Sequence, residues 1–212
     1  MILVDDNFAT IVTAVREGRR VWDNLVKILL YNMPVNFAQG FSVFMSYVLS
    51  LETVPLTAIQ LLYVNMITSV TMGLMLAMEP AETTIMERPP RRRGKRLFGR
   101  MVMWHCIFVA TLLVTSVLLN FQWELDRHVE ERKGNITQTR RASSQDVSIR
   151  VRKARACAFN MLVFGEIAFA INCRYMRESS ISMKTLTGNK WCWISILFTV
   201  VLQVQAIPVY VI

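Results

Sequence analysis

The sequence predicts an all-α membrane protein, folded as a polytopic membrane helix bundle with about five transmembrane helices. Its composition is the first observation: 53% of the 212 residues are hydrophobic and 18% are charged, whereas soluble domains carry about 25% charged residues. The second observation is that the charges fall into clusters separated by long apolar stretches. A helix needs roughly 20 such residues to cross a bilayer. Because soluble helices are rarely apolar on all sides for so long, a soluble fold is disfavoured.

The predicted spans are bounded by these charge clusters. The first span begins after Lys27, and the second begins after Glu52 and ends before Glu79. The fourth span contains one charged residue, Glu166. The sequence thus predicts spans at about 28–51, 53–78, 101–123, 156–173 and 191–212.

The basic residues predict the orientation of these spans. The N-terminal stretch and the loops 79–100 and 174–190 share one side and carry 15 Lys and Arg, against 9 in the long loop 124–155. Because basic residues concentrate on the cytoplasmic side, the N-terminus is predicted to be cytoplasmic and the 124–155 loop lumenal or extracellular. The sequon at Asn135 agrees and is a candidate glycosylation site. A basophilic kinase motif, Arg140 to Ser143, argues for the opposite side.

The basic run 91–96 has two interpretations. In a soluble protein it could bind nucleic acid, but here it adjoins a predicted span. A cationic segment at the membrane surface is attracted to anionic lipid, so we expect the lipid bilayer as its partner and no nucleic acid. The four cysteines have no paired spacing, which disfavours a soft-metal site.

Polar side chains inside the spans indicate where function lies. Asn36 and Gln39 share a helical face of the first span with Asn32, close to Pro34. The second span carries a polar face of its own, and the fourth span contains Glu166, a carboxylate that is costly inside a bilayer. Interhelical hydrogen bonds could account for each residue separately. A shared site for a hard cation or proton is the alternative; its candidate ligands are Asn36, Gln39, Asn65, Thr68, Ser69 and Glu166.

Several strings resemble P-type cation-transporting ATPases, in order along nearly the whole chain. The segment from Asp5 to Arg19 (DDNFATIVTAVREGR) resembles the junction that leaves the phosphorylation domain of that family. The segment 60–68 (QLLYVNMIT) is similar to the start of the sixth membrane helix, and the segment 79–91 to the cytoplasmic loop after it. The segment 160–166 (NMLVFGE) is similar to the eighth helix.

This resemblance implies a truncated part of a ten-helix transport domain, covering the fifth to ninth helices. Residues 1–27 would be a cytoplasmic linker from the phosphorylation domain, and residues 28–212 the C-terminal transmembrane domain. In the calcium-pump branch the cation ligands lie on the fifth, sixth and eighth helices. By position they correspond to the six candidate ligands named above.

Two departures from the family pattern bear on the transported ion. Gln39 stands where calcium pumps have a Glu, and Ser69 stands where most members have an Asp. Glu166 is therefore the only carboxylate within the three spans that would hold the ion. These departures fit a monovalent ion, a proton or an inactive site better than calcium. For the transported cation, the resemblance thus favours a monovalent ion or a proton over calcium.

Catalysis is not expected from the chain alone. The sequence contains no Asp-Lys-Thr-Gly-Thr, Thr-Gly-Glu-Ser or Gly-Asp-Gly-x-Asn-Asp motif. ATP and magnesium would act in the intact family member, and no cofactor is expected on this chain. We expect Met1 to be an internal methionine of a longer protein, with the missing pump domains as partners. The alternative is a non-catalytic, pump-derived membrane protein that acts as a partner or regulator of an intact pump.

Overall fold

The computed structural model describes residues 8–82, 84–89, 99–133, 144–174 and 189–211, and the described residues form helices and connecting turns without strands. This confirms the predicted all-α fold. Five helices follow in chain order: α1 (Phe8–Val48), α2 (Ala58–Ala77), α3 (Arg100–Lys133), α4 (Ser144–Cys173) and α5 (Lys190–Val211).

Three of the helices contain segments long and apolar enough to cross a membrane: Ala58–Ala77 in α2, Arg100–Arg127 in α3 and Val147–Cys173 in α4. Among the residues whose side chains the structure describes, the apolar part of α5 is Lys190–Ala206, which is shorter than these three segments. In α1, amide side chains and a proline reduce the apolar character of the predicted span. The chain is thus an integral, multi-pass membrane protein, and membrane crossing by α1 and α5 stays a prediction.

The helices extend beyond the apolar stretches from which they were predicted. Helix α1 continues from Phe8 through Lys27 and past Pro34 without interruption, so the described part of the predicted linker 1–27 is helical. Helices α3 and α4 likewise extend into the region 124–155, which was predicted to be a loop. Charged residues end an apolar stretch but not a helix, because Glu, Lys and Arg have high helix propensity.

The connection between α1 and α2 is defined by local hydrogen bonds. Ser50 has a left-handed backbone (φ 49°), and the Leu51 N–H donates to the Ser46 carbonyl at 3.0 Å, which ends α1 as a Schellman motif. Thr57 and Gln60 then form a capping box at the start of α2. The turn returns the chain antiparallel to α1, so that the two helices pack side by side.

Helix α4 is the centre of the bundle, because it packs against each of the other four helices. Its buried residues Phe159 and Leu162 join a core that includes Val35 of α1, Met72 of α2 and Val117 of α3. Large apolar side chains on the outer faces are exposed in this structure, as a lipid-facing surface requires; examples are Phe37, Phe41, Leu62, Met66, Trp104 and Phe198. A polar group on the inner face of α4 is thereby held away from lipid.

Candidate cation site

Glu166 lies in the middle of the bundle and is fully buried, with 0% of its surface exposed. The Gln39 side-chain N–H donates to the Glu166 Oε1 atom at 2.9 Å, which joins α1 to α4. Both residues were candidate ligands from the sequence, and the structure brings them together. The other carboxylate oxygen, Oε2, is buried and has no hydrogen-bond partner among the described residues.

Thr68 is the third candidate that reaches this place, from α2. Its hydroxyl is buried and donates to the carbonyl of Val64 at 2.7 Å. The same hydroxyl lies close enough to the Glu166 carboxyl to interact with it. Because its proton is used by the helix backbone, the two lone pairs of the Thr68 oxygen remain as acceptors.

Tyr31 belongs to the same place and was missed from the sequence. Its side chain is fully buried and stacks on Phe169, with ring centroids 6.1 Å apart. Its hydroxyl lies near Thr68 and Glu166 and has no hydrogen-bond partner among the described residues. The available signal was helical spacing, because Tyr31 precedes Gln39 by about two turns and shares its face. We call Tyr31, Gln39, Thr68 and Glu166 the Glu166 cluster.

The other three candidate ligands lie elsewhere in this structure. Asn36 and Asn65 are exposed on the outer surfaces of α1 and α2. The Ser69 hydroxyl donates to the Asn65 Oδ1 atom at 2.9 Å, a contact within α2. These side chains do not join the Glu166 cluster here, and their role as ligands stays a prediction. Asn135, the candidate glycosylation site, lies outside the described residues.

The Glu166 cluster has one charged group and several neutral oxygens. In the part of the chain that the structure describes, no three His, Cys, Asp or Glu side chains converge on a common metal position. The Glu166 Oε2 atom has no hydrogen-bond partner among the described residues and is the oxygen best placed to accept a cation or a proton, with the Tyr31 and Thr68 hydroxyls as further candidate donors. Such oxygen donors suit hard cations or protons.

Helix α3 packs against α4 next to the Glu166 cluster. Gly165, which precedes Glu166 in the chain, faces α3 so closely that a Cβ atom placed on it would lie 2.5 Å from the Leu113 Cδ2 atom. The glycine therefore allows α3 to approach α4 next to the carboxylate. The sequence shows the glycine but not the helix that it faces.

A charge network at one end of the bundle, the Lys27 network, was also missed. It consists of Asp23, Lys27, Glu82 and Arg88. The Lys27 Nζ atom lies 3.4 Å from the Glu82 Oε1 atom, and Arg88 binds both Glu82 and Asp23, the latter at 2.7 Å. Burial raises the pKa of Glu82, but the charge of Lys27 and the hydrogen bond and charge of Arg88 outweigh it, so the pKa lies below its ordinary value of 4.5.

A second buried group, the Glu79 junction, consists of Glu79, Asn24, Arg174 and Asn189. The Arg174 guanidinium donates to the Glu79 carboxylate at 3.0 Å and 3.3 Å, and the Asn189 side chain donates to it at 2.8 Å. The Asn24 amide donates to the Glu79 backbone carbonyl at 2.8 Å and to that of Ala77 at 3.0 Å. From the sequence, these charges marked only the ends of apolar stretches.

Comparison with known proteins identifies the family. A family model described as "Cation transporting ATPase, C-terminus" matches residues 53–212. The chain is 34% identical over 191 residues to the "Probable cation-transporting ATPase F" of Mycobacterium tuberculosis (strain ATCC 25618 / H37Rv), a match that covers 90% of this chain and 19% of that protein.

Two further relatives are named for calcium transport. The chain is 33% identical over 208 residues to the "Probable calcium-transporting ATPase 6, plasma membrane-type" of Oryza sativa subsp. japonica, which covers 96% of this chain and 18% of that protein. It is 27% identical over 207 residues to the "Calcium-transporting ATPase" of Bacillus subtilis (strain 168), a match that covers 98% of this chain and 21% of that protein. The chain thus spans about a fifth of the length of these relatives. It belongs to the cation-transporting ATPase family and matches the C-terminal membrane region of its members.

Proposed function

We propose that this chain is the C-terminal membrane-domain portion of a P-type ATPase that transports cations across a membrane. One observation carries the proposal. Glu166 is buried where three helices meet, is bonded to Gln39, and keeps one oxygen without a hydrogen-bond partner in the described part of the chain. An ionised carboxylate at such a place is stable only with a cation or in a polar bundle interior.

We propose a monovalent ion or a proton as the transported species, in preference to calcium. Calcium sites usually gather several acidic and carbonyl oxygens. The Glu166 cluster offers one carboxylate, and the amide of Gln39 faces it with an N–H donor rather than a second negative oxygen. A single negative charge balances a single positive charge.

In the intact pump, ATP and magnesium would act on domains that this chain does not contain, and the chain alone would not hydrolyse ATP. Helix α1 would connect those domains to the site, since it is continuous from Phe8 to Gln39 and beyond. All five helices would cross the membrane, with the N-terminus in the cytoplasm. The transported cation, the lipid bilayer and the missing pump domains are the partners of this proposal.

The exposed amides of Asn36 and Asn65 favour an additional protein partner, whether the chain is part of a complete pump or a separate protein that binds one. Both lie on outer faces that otherwise carry apolar side chains, and polar groups facing lipid are unfavourable. In a complete pump, further helices would cover them. In the alternative, the chain is a non-catalytic partner or regulator that uses these faces to bind an intact pump, and co-purification with a full-length pump from native membranes tests that alternative.

A chimeric pump tests the transport proposal. This chain replaces the corresponding region of the Bacillus subtilis relative, and ATPase activity is measured against calcium, sodium and potassium and as a function of pH. We expect dependence on a monovalent ion or on protons, and Glu166→Gln should change that dependence. Glu52→Gln, at an exposed position in the α1–α2 turn, is the matched control. Calcium stimulation would contradict the ion assignment, and an unchanged cation dependence in Glu166→Gln would contradict the site.

A further inference from the structure

Glu79 connects four helices at one buried point. It follows Met78, the C-cap of α2. Its backbone carbonyl accepts a hydrogen bond from Asn24 of α1. Its carboxylate accepts hydrogen bonds from Arg174 and Asn189. Arg174 is the residue after α4, and Asn189 is the residue before α5. Glu79 is 0% exposed and Arg174 is 2% exposed, so solvent does not compete with these bonds.

The helices that meet at Glu79 include all of those that form the Glu166 cluster. Gln39 lies on α1, Thr68 on α2 and Glu166 on α4. At about 1.5 Å per residue, Glu166 lies about 12 Å along α4 from Arg174, and Thr68 about 16 Å from Glu79. Each of these helices is therefore attached to the others at two levels, at the site and at the Glu79 junction.

Attachment at two levels fixes how far one helix can slide along another. At the site, the polar contacts of Glu166 are one hydrogen bond from Gln39 and an interaction with Thr68. A small axial shift of α4 would break them. At the junction, the Arg174 and Asn189 bonds to the Glu79 carboxylate are charge-assisted, and charge-assisted bonds are stronger than neutral ones. Asn24 adds two neutral bonds from α1, to the backbone carbonyls of Ala77 and Glu79. The height of Glu166 relative to Gln39 and Thr68 is therefore determined mainly at the junction.

We propose that Glu79 is a positioning residue for the cation site, which sets the axial register of α1, α2 and α4 through Asn24 and Arg174. That Glu166 belongs to a cation site rests on the proposed function. The effect of Glu79 on the surroundings of the Glu166 carboxyl group can be tested without it. Glu79 itself does not contact the cation. Its charge is balanced by Arg174, so it needs no ligand.

Infrared spectroscopy of the purified full chain in lipid nanodiscs tests the proposal. The carboxyl bands of Glu166 are assigned by subtracting the spectrum of Glu166→Gln. The double variant E79Q/R174Q removes both charges together and keeps amide hydrogen bonding, and it should shift those bands while circular dichroism retains the native helix content. The control is K27Q/E82Q, which neutralises another buried ion pair at the same end of the bundle, between α1 and the segment after α2; it should leave the bands in place.

Asn24→Ala is the second variant, and it tests the proposal even when E79Q/R174Q does not fold. It removes the bond from α1 to the Glu79 carbonyl, leaves the ion pair intact, and should shift the same bands because Gln39 moves with α1. Unshifted bands in the folded variants, or equal shifts in K27Q/E82Q, would overturn the proposal. Because the bands report geometry, a chimeric pump without cation-dependent activity would contradict the proposed function and leave this result standing.

Discussion

Glu166 and Glu79 are both fully buried carboxyl groups, but their surroundings differ. Glu79 is bound by the Arg174 guanidinium and the Asn189 amide, which together satisfy both of its oxygens. Glu166 has the Gln39 amide on one oxygen and no hydrogen-bond partner on the other in the described part of the chain. Burial alone therefore does not distinguish these two carboxyl groups. A compensating positive charge among the described residues does, since Glu79 has one in Arg174.

The largest expected effect comes from unpairing Glu79. Arg174→Met keeps much of the side-chain volume but leaves the Glu79 carboxylate buried without its cation. Breaking a buried ion pair in this way typically costs about 3–5 kcal/mol, so we expect the free energy of unfolding to fall by about that amount. Reversible unfolding of the purified chain in mixed micelles measures it.

The double variant E79Q/R174Q is the matched control for this prediction. Replacing both partners of a buried pair is often nearly neutral, because neither charge is left alone. We expect it to recover most of the stability that Arg174→Met loses. If Arg174→Met costs less than about 1 kcal/mol, the pair behaves as an exposed one and the comparison with Glu166 fails.

The sequence was sufficient to predict the bundle and to name two residues that meet at the site. Apolar stretches of membrane length predicted the helices, and the cost of a carboxylate in a span identified Glu166. Helical spacing placed Gln39 on a polar face of the first span, and the structure shows that its amide donates to Glu166. Asn36 and Asn65 were grouped with these residues by the same reasoning, but the structure leaves them on outer faces.

The rest of the site could not be predicted because it depends on pairing between distant parts of the chain. Glu79 and Arg174 are separated by 95 positions, and nothing in either local sequence indicates the other. Charges that end an apolar stretch are expected to lie in water, so both were read as boundaries. In the sequence, Tyr31 is one aromatic residue among several in a span, and only the structure shows that its hydroxyl lies near Thr68.

A smaller effect is expected where α3 approaches the site. Gly165→Ala places a methyl group against the Leu113 side chain, 2.5 Å from its Cδ2 atom, so the two helices must separate or the leucine must change rotamer. Overpacking of this kind costs about 1–3 kcal/mol. The same unfolding measurement applies, and the Glu166 infrared bands should shift with it.

Gly73→Ala is the control, because no atom lies within 4 Å of a Cβ built at Gly73. In a helix interior alanine is favoured over glycine by about 1 kcal/mol. Gly73→Ala should therefore be neutral or stabilising, whereas Gly165→Ala should be destabilising. Equal effects at the two glycines would show that α3 does not constrain α4 next to Glu166.

Acid pH should reduce the contribution of the Lys27 network to the free energy of unfolding. The folded-state pKa of Glu82 lies below its ordinary value of 4.5, so the carboxylate contributes stability at pH values above 4.5. That contribution is lost as the pH falls through the lowered pKa. Unfolding of the native chain and of Glu82→Gln, compared at pH 7 and at successively lower pH, should show a stability difference at neutral pH that shrinks as the Glu82 carboxyl group becomes protonated. A difference that is independent of pH would contradict the pairing with Lys27 and Arg88.

The smallest effect on stability is expected for Glu166→Gln. The amide has the same shape as the carboxyl group, and its oxygen still accepts the hydrogen bond from Gln39. No described cationic side chain is left unpaired by the change, so the free energy of unfolding should change by no more than about 1 kcal/mol, the net worth of one hydrogen bond. The same substitution should nevertheless change the cation dependence of the chimeric pump. A loss of stability as large as that of Arg174→Met would mean that a positive charge compensates Glu166 as Arg174 compensates Glu79. The two carboxyl groups would then be alike, and the cation would have to be held elsewhere.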